Sequence, residues 1–135
     1  GSEMCIRDRV INMKEQVIID HIEKWLNYKK RYYLNVHGSE YSNNGTHDII
    51  THDINNQFLS IEAKAPNRQP KVNQWRHAIK VLKSGGRVII AYEDFDLNKV
   101  DNNQLPVIKI GSNIGISEHD ASNLKLKNTT EIKLI

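Results

Sequence analysis

The run "FLSIEAKAP", residues 58–66, sets the tightest limit on what this chain can fold into. Phe58, Leu59 and Ile61, with Ala63 and Ala65, suit a buried strand, and Pro66 ends it because proline has no N–H to give a ladder. Glu62 and Lys64 stand two residues apart inside it, so they leave the same face of the sheet. A carboxylate and an ammonium there are either an edge pair facing water or parts of a site that needs both charges. The residues downstream place the strand in a sheet interior. Pro66 and Pro70 bracket a loop, and residues 71–84 carry Val72, Trp75, Ile79 and Leu82 at helical spacing. Gly85-Gly86 stops that helix, and "RVIIAY", residues 87–92, reads as a second buried strand.

Upstream, residues 13–29 read as an amphipathic helix through Ile18, Ile22, Trp25 and Leu26, with Lys14, Glu15, Glu23 and Lys24 keeping other faces polar. "RYYLNV", 31–36, is a strand; Tyr32 and Tyr33 alternate across it, so one is buried and the other is free to touch substrate. "HGSEYSNNG", 37–45, is a polar loop. Residues 46–53 and 57–64 are two strands joined as a hairpin at Asn55-Asn56. The order helix, three strands, helix, strand gives an α/β sandwich with a mixed sheet. Beyond Asp96, "LPVIKI" and "TEIKLI" are each expected as a strand, together a terminal hairpin. Trp75 belongs to the core, and the six histidines, without a shared face, are expected mostly at the surface.

At 135 residues the chain is one domain. It has no apolar run long enough to span a bilayer and no signal-peptide pattern. The net charge of +3 is unevenly spread: residues 63–92 hold Lys64, Arg68, Lys71, Arg76, Lys80, Lys83 and Arg87 and no acid. A basic block beside the Glu/Lys pair points to a polyanionic partner, with a solvated helix face as the plain alternative. Residues 1–9 stand apart. "EMCIRDR" is what GAG-ATG-TGT-ATA-AGA-GAC-AG encodes, which resembles a transposon-end adapter of sequencing libraries, so the segment is expected to be an adapter-derived artefact and the natural chain to begin near Met13. It contains Cys5, the sole cysteine. Disulfides within the chain and cysteine zinc sites are thereby excluded, which fits the cytoplasm of a bacterial or phage-infected cell.

Asp48 lies one hairpin upstream of Glu62. If the connecting loop is 54–56, position 48 faces position 62 across the ladder, and Asp48, Glu62 and Lys64 share a face. A two-residue Asn55-Asn56 turn would instead set Asp48 opposite Ala63 and break the group. Facing Cβ atoms stand roughly 4.5–5.5 Å apart, near enough for two carboxylates to hold one cation. Without a cation the pair repels and is costly to desolvate. Mg2+, with Mn2+ as substitute, suits hard oxygen ligands and a phosphate and offsets charge developing during phosphodiester hydrolysis. Lys64 would orient the attacking water or neutralise that charge. Arg68, Lys71, Arg76, Lys80 and Lys83, just after the strand, are expected to flank the cleft and hold phosphates without reading bases. A turn cap at the strand start is the plain alternative for Asp48.

These segments resemble the PD-(D/E)XK nuclease superfamily and, within it, the VRR-NUC (virus-type replication-repair nuclease) family. The resemblance covers residues 13–97: "MKEQVIIDHI" opening the first helix, "GTHDII" for the aspartate motif, "FLSIEAKAP" for the Glu-x-Lys strand, "NQW" in the second helix and "SGGRVIIAYEDF" closing it. It implies an α/β restriction-endonuclease-like fold, a central mixed sheet flanked by helices. Residues 10–97 would be the nuclease core and 98–135 a C-terminal extension of the same domain, supplying strands or a dimer contact. It implies a Mg2+-dependent DNA endonuclease, selective for branched or four-way-junction DNA and acting as a homodimer in phage or mobile-element replication or repair. Asp48 and Glu62 are implied as metal ligands with the Ala63 carbonyl, Lys64 as catalytic, Gln74 as support, and Glu15 as reaching the site from the first helix. His47 stands where the family often has proline.

Two competing readings use the same residues. His47-Asp48 and His52-Asp53 spell the pair of helical metal phosphohydrolases, but "THDIITHDI" is too branched for a helix. A catalytically silent nuclease-fold protein that binds nucleic acid or a protein partner is the alternative of another class; it has no need to keep Asp48, Glu62, Lys64 and Gln74 together. A second Glu-x-Lys, Glu131-Ile132-Lys133, carries no functional reading.

Overall fold

Among the described residues, β1 (Leu34–Asn35), β2 (Ile49–His52), β3 (Phe58–Ala63), β4 (Arg87–Ala91), β5 (Val107–Ile110) and β6 (Thr130–Leu134) form one sheet in the order β1-β2-β3-β4-β6-β5. The computed structural model describes residues 6–112 and 123–135; Cys5 lies outside them. β3 and β4 run parallel, as do β5 and β6, and the other neighbours are antiparallel. Among the described residues three α-helices flank the sheet: α1 (Ile6–Tyr28), α2 (Val72–Lys83) and α3 (Leu97–Asp101).

Strand alternation decides which helix each face receives. Leu59, Ile61 and Ala63 leave one face of β3 and join Ile49, Ile89 and Ala91 beneath α1 and α3. There α1 buries Ile18, Ile19, Ile22 and Leu26. Each such side chain contributes about 1.5–3 kcal/mol on burial, so this stripe, more than helix propensity, anchors α1. Val88, Ile90 and Ile132 leave the other face toward Trp75, Ala78 and Ile79 of α2. Ser60 and Glu62 point to that second face, followed by Lys64. The opening strand therefore keeps its alternation, apolar on one side and chemically active on the other. No described helix is long and apolar enough to cross a membrane.

Several expected boundaries move for local reasons. Among the described residues the first helix spans Ile6–Tyr28, so residues 6–9 belong to it. β1 is shorter than 31–36 because the side chain of Thr51 takes the Tyr32 carbonyl at 2.7 Å in place of a ladder bond. Tyr33 packs against the α1 core, while Tyr32 is exposed. The terminal hairpin does not form. β6 inserts between β4 and β5 and pairs with β5 in parallel, an arrangement no tight turn can join. The tail's apolar strands thus find partners within the chain's own sheet.

A short 3₁₀ turn, Glu40–Asn44, precedes the aspartate segment and ends on Gly45 at φ +83°. A Cβ there would stand 2.4 Å from the Asn73 carbonyl oxygen at the start of α2. Left-handed strain and the clash together should make Gly45→Ala about 2–4 kcal/mol less stable, read as a lower urea midpoint. An unchanged midpoint would show that this loop is not pinned to α2.

Candidate active site

The hairpin turn fixes the register on which the site depends. Asp53 N–H bonds the Gln57 carbonyl at 2.8 Å and Asn56 N–H bonds the Asp53 carbonyl at 3.1 Å. Asn56 closes the turn at φ +63°, a conformation asparagine tolerates. The Asp53 carboxylate accepts from Asn55 N–H and Gln57 N–H at 2.8 and 2.9 Å. The loop is therefore residues 54–56, pairing Ile49 with Ile61 and His52 with Phe58. Asp48, one residue before β2, stands across from Glu62.

Both carboxylates are nearly inaccessible, at 4% and 3% exposure. Asp48 Oδ2 accepts from Ala63 N–H at 2.9 Å, and Oδ1 accepts from Nδ1–H of His37 at 2.6 Å. The Ala63 carbonyl leaves the same edge of β3 as its N–H. Glu62 Oε1 accepts from Gln74 Nε2–H at 2.9 Å and lies 3.8 Å from Lys64 Nζ. Gln74 has no freedom to flip, because its Oε1 takes Lys71 N–H at 2.8 Å and closes the first turn of α2. Glu62 Oε2 is buried and meets no hydrogen-bond donor among the described residues.

Burial and then Asp48 push the Glu62 carboxyl well above the ordinary carboxylate range, with Lys64 pulling the other way. Glu15, on α1, faces the same space. Burial raises its carboxyl and Asp48 adds to the rise, while Lys64, His37 and the Ala65 N–H offset part of it. The hydrogen bond to Asp48 lifts His37 above the usual imidazole range, against burial. These groups line a cavity of about 790 Å³ together with Arg68 and Lys71. Three carboxylates, one of them with an orphaned oxygen, thus gather around one ammonium. Among the described residues no group of three or more His, Cys, Asp or Glu side chains is placed to hold a metal ion by itself.

The sequence-derived residues divide cleanly. Asp48, Glu62, Ala63, Lys64, Gln74 and Glu15 come together, with Arg68 and Lys71 at the cavity wall. Arg76, Lys80 and Lys83 do not line it. They follow one exposed stripe of α2, opposite Trp75 and Ala78, and Lys83 stands roughly 18 Å along the axis from Lys71 at 1.5 Å per residue. Two of the five expected phosphate-binding residues thus stand at the cavity wall, and the other three continue along α2 as a basic track.

Two histidines depart from the expected surface placement. His37 sits in the cavity, placed there because Val36 continues the β1 ladder to Asp48 with an N–H···O bond of 2.8 Å. His47 is wholly buried, and burial lowers it to about 3, so it is neutral. Neither position carries a local sequence signal; only the strand pairing reveals them. The chain matches no protein-family model, no curated protein and no solved structure.

Proposed function

We propose that the protein is a metal-dependent nuclease of the PD-(D/E)XK type, close to the VRR-NUC pattern, that hydrolyses phosphodiester bonds in DNA. The observation that carries this reading is the pair Asp48 and Glu62 facing each other at a cavity wall, with Glu62 Oε2 orphaned and Lys64 beside it. Asp48, Glu62 and the Ala63 carbonyl would hold Mg2+, or Mn2+ in its place. When bound, the ion supplies Lewis-acid stabilisation of charge on the phosphate. The rest is work for the chain's own side chains. Gln74 fixes the Glu62 carboxylate, Lys64 offers its ammonium to the phosphate or to the attacking water, and Arg68 and Lys71 hold flanking phosphates. Arg76, Lys80 and Lys83 extend the phosphate contacts along α2.

The test is a panel of labelled duplex, single-stranded, flap and four-way-junction DNA with magnesium, manganese or chelator. Lys64→Ala should lower cleavage by at least about a hundredfold while DNA binding in chelator persists, weakened by no more than one phosphate contact. Wild-type cleavage by that variant would sink the mechanism. Preference for branched DNA and a two-fold dimer belong to the same proposal, since a dyad would present two sites to a junction's two strands. A monomer by light scattering that still cuts junctions symmetrically would end the dimer part.

A further inference from the structure

We propose that His47 is a positioning residue: its buried ring sets the first turn of α2 and, through the Gln74 side chain, the aim of Glu62. The inference rests on the reading of Asp48 and Glu62 as a cation site. His47 Nε2 stands 3.0 Å from the Gln74 carbonyl, and Nδ1 stands 2.6 Å from Ser60 Oγ. A carbonyl only accepts, so Nε2 carries the proton and donates; Nδ1 then accepts from the Ser60 hydroxyl. The partners fix one tautomer. His77 lies edge-on to the ring at 4.5 Å and 74°, which closes the remaining side.

The consequence runs through α2. The ring ties the Gln74 backbone to the start of β2, and the Gln74 side chain bridges Lys71 N–H and Glu62 Oε1. His47 is also the residue directly before Asp48. One buried ring thus links the segment carrying one carboxylate to the amide that aims the other. Groups that orient metal ligands in this way typically govern metal affinity by about 10–100-fold.

A histidine that merely filled the core would be replaced equally well by any polar residue of similar size. The proposed role instead ranks two substitutions. His47→Gln places an amide N–H near the former Nε2 and still reaches the Gln74 carbonyl. His47→Asn is one methylene shorter; it keeps Ser60 but falls short of Gln74. The experiment compares both with wild type by thermal melting, by calorimetric titration with Mn2+, and by the 1H–15N signals of the Gln74 side-chain amide in chelator, assigned by their loss in Gln74→Met. His47→Asn should weaken Mn2+ binding by about tenfold or more and move the Gln74 amide toward solvent-exchanging values, while His47→Gln stays within about threefold of wild type. Equal effects of the two variants, or unmoved Gln74 signals in His47→Asn, overturn the proposal. If His47→Asn does not fold, the ring 15N signals of His47 in the wild-type protein decide instead: a proton on Nδ1 rather than Nε2 leaves no donor for the Gln74 carbonyl and overturns the proposal as well. A wild-type protein that binds no Mn2+ defeats the cation reading, while the Gln74 amide, observed without metal, still decides the role of His47.

Discussion

Glu62→Gln should abolish metal-dependent cleavage and, in chelator, make the protein more stable than wild type. The two effects share one cause. Glu62 is buried with an oxygen that meets no donor, facing Asp48 and near Glu15. As a ligand it would be the centre of the site, and removing such electrostatic stabilisation costs at least about a hundredfold to a thousandfold in rate. In the metal-free protein the same carboxylate is a burden, and a neutral amide of equal shape can keep the bond from Gln74. The pH dependence follows in sign. A carboxyl raised on folding contributes stability below its unfolded value, about 4.3, and that contribution is lost as pH rises through the higher folded value. The advantage of Glu62→Gln should therefore be smallest in acid and grow toward neutral pH. Thermal melts at several pH values in chelator, paired with cleavage assays in magnesium, measure both halves. A variant that is less stable than wild type at neutral pH, or that still cuts, contradicts the assigned role.

How much of this was readable in the chain is best seen from its two Glu-x-Lys sequences. Both sit on strands of the same sheet, at Glu62 and Glu131, and local pattern does not separate them. The environment does. Glu62 is paired across a ladder with another carboxylate, whereas Glu131 forms a two-point bond with Arg87. The first pairing was legible as one of two registers, because a hairpin is local: a loop at 54–56 sets Asp48 opposite Glu62, and a turn at 55–56 would set it opposite Ala63. The second was not, because Arg87 and Glu131 are 44 residues apart and meet only when β6 inserts beside β4. The same limit hid His37 and His47, whose partners lie on other elements, and turned the expected terminal hairpin into a parallel pair. Helix cores and strand faces were readable because period and burial are properties of a single element. Long-range strand order is not.

Arg87→Met should be the most damaging single substitution for stability. Arg87 lies at the first position of β4, 8% exposed, and its Nη2 and Nε donate to Glu131 at 2.7 and 3.0 Å. Its Nη1 donates to Asp53 at 3.1 Å, and Nη2 also reaches the Val100 carbonyl at 3.1 Å. One guanidinium thus joins the β2–β3 turn, β4, β6 and α3, well away from the cleft. Methionine fills part of the volume but leaves Asp53 and Glu131 buried without their cation, a loss of about 3–5 kcal/mol. That corresponds to a fall in Tm of roughly 10–20 °C for a domain of this size. Burial pushes the Asp53 carboxyl up, but bonds from Gln57 N–H, Arg87 and Asn55 N–H outweigh it and hold it below the ordinary range. A depressed carboxyl contributes stability above its unfolded value, about 3.9, and loses it as pH falls through the lower folded value. The gap between wild type and Arg87→Met should therefore be widest near neutral pH and narrow in acid, where protonation relieves the stranded charges. Adding Glu131→Met to Arg87→Met removes one of those charges and should recover part of the loss, because an apolar replacement of a whole buried pair is often tolerated. Urea melts of the single and double variants at two pH values test the account: a double variant no more stable than the single one would show that Glu131 is not stranded by loss of its partner.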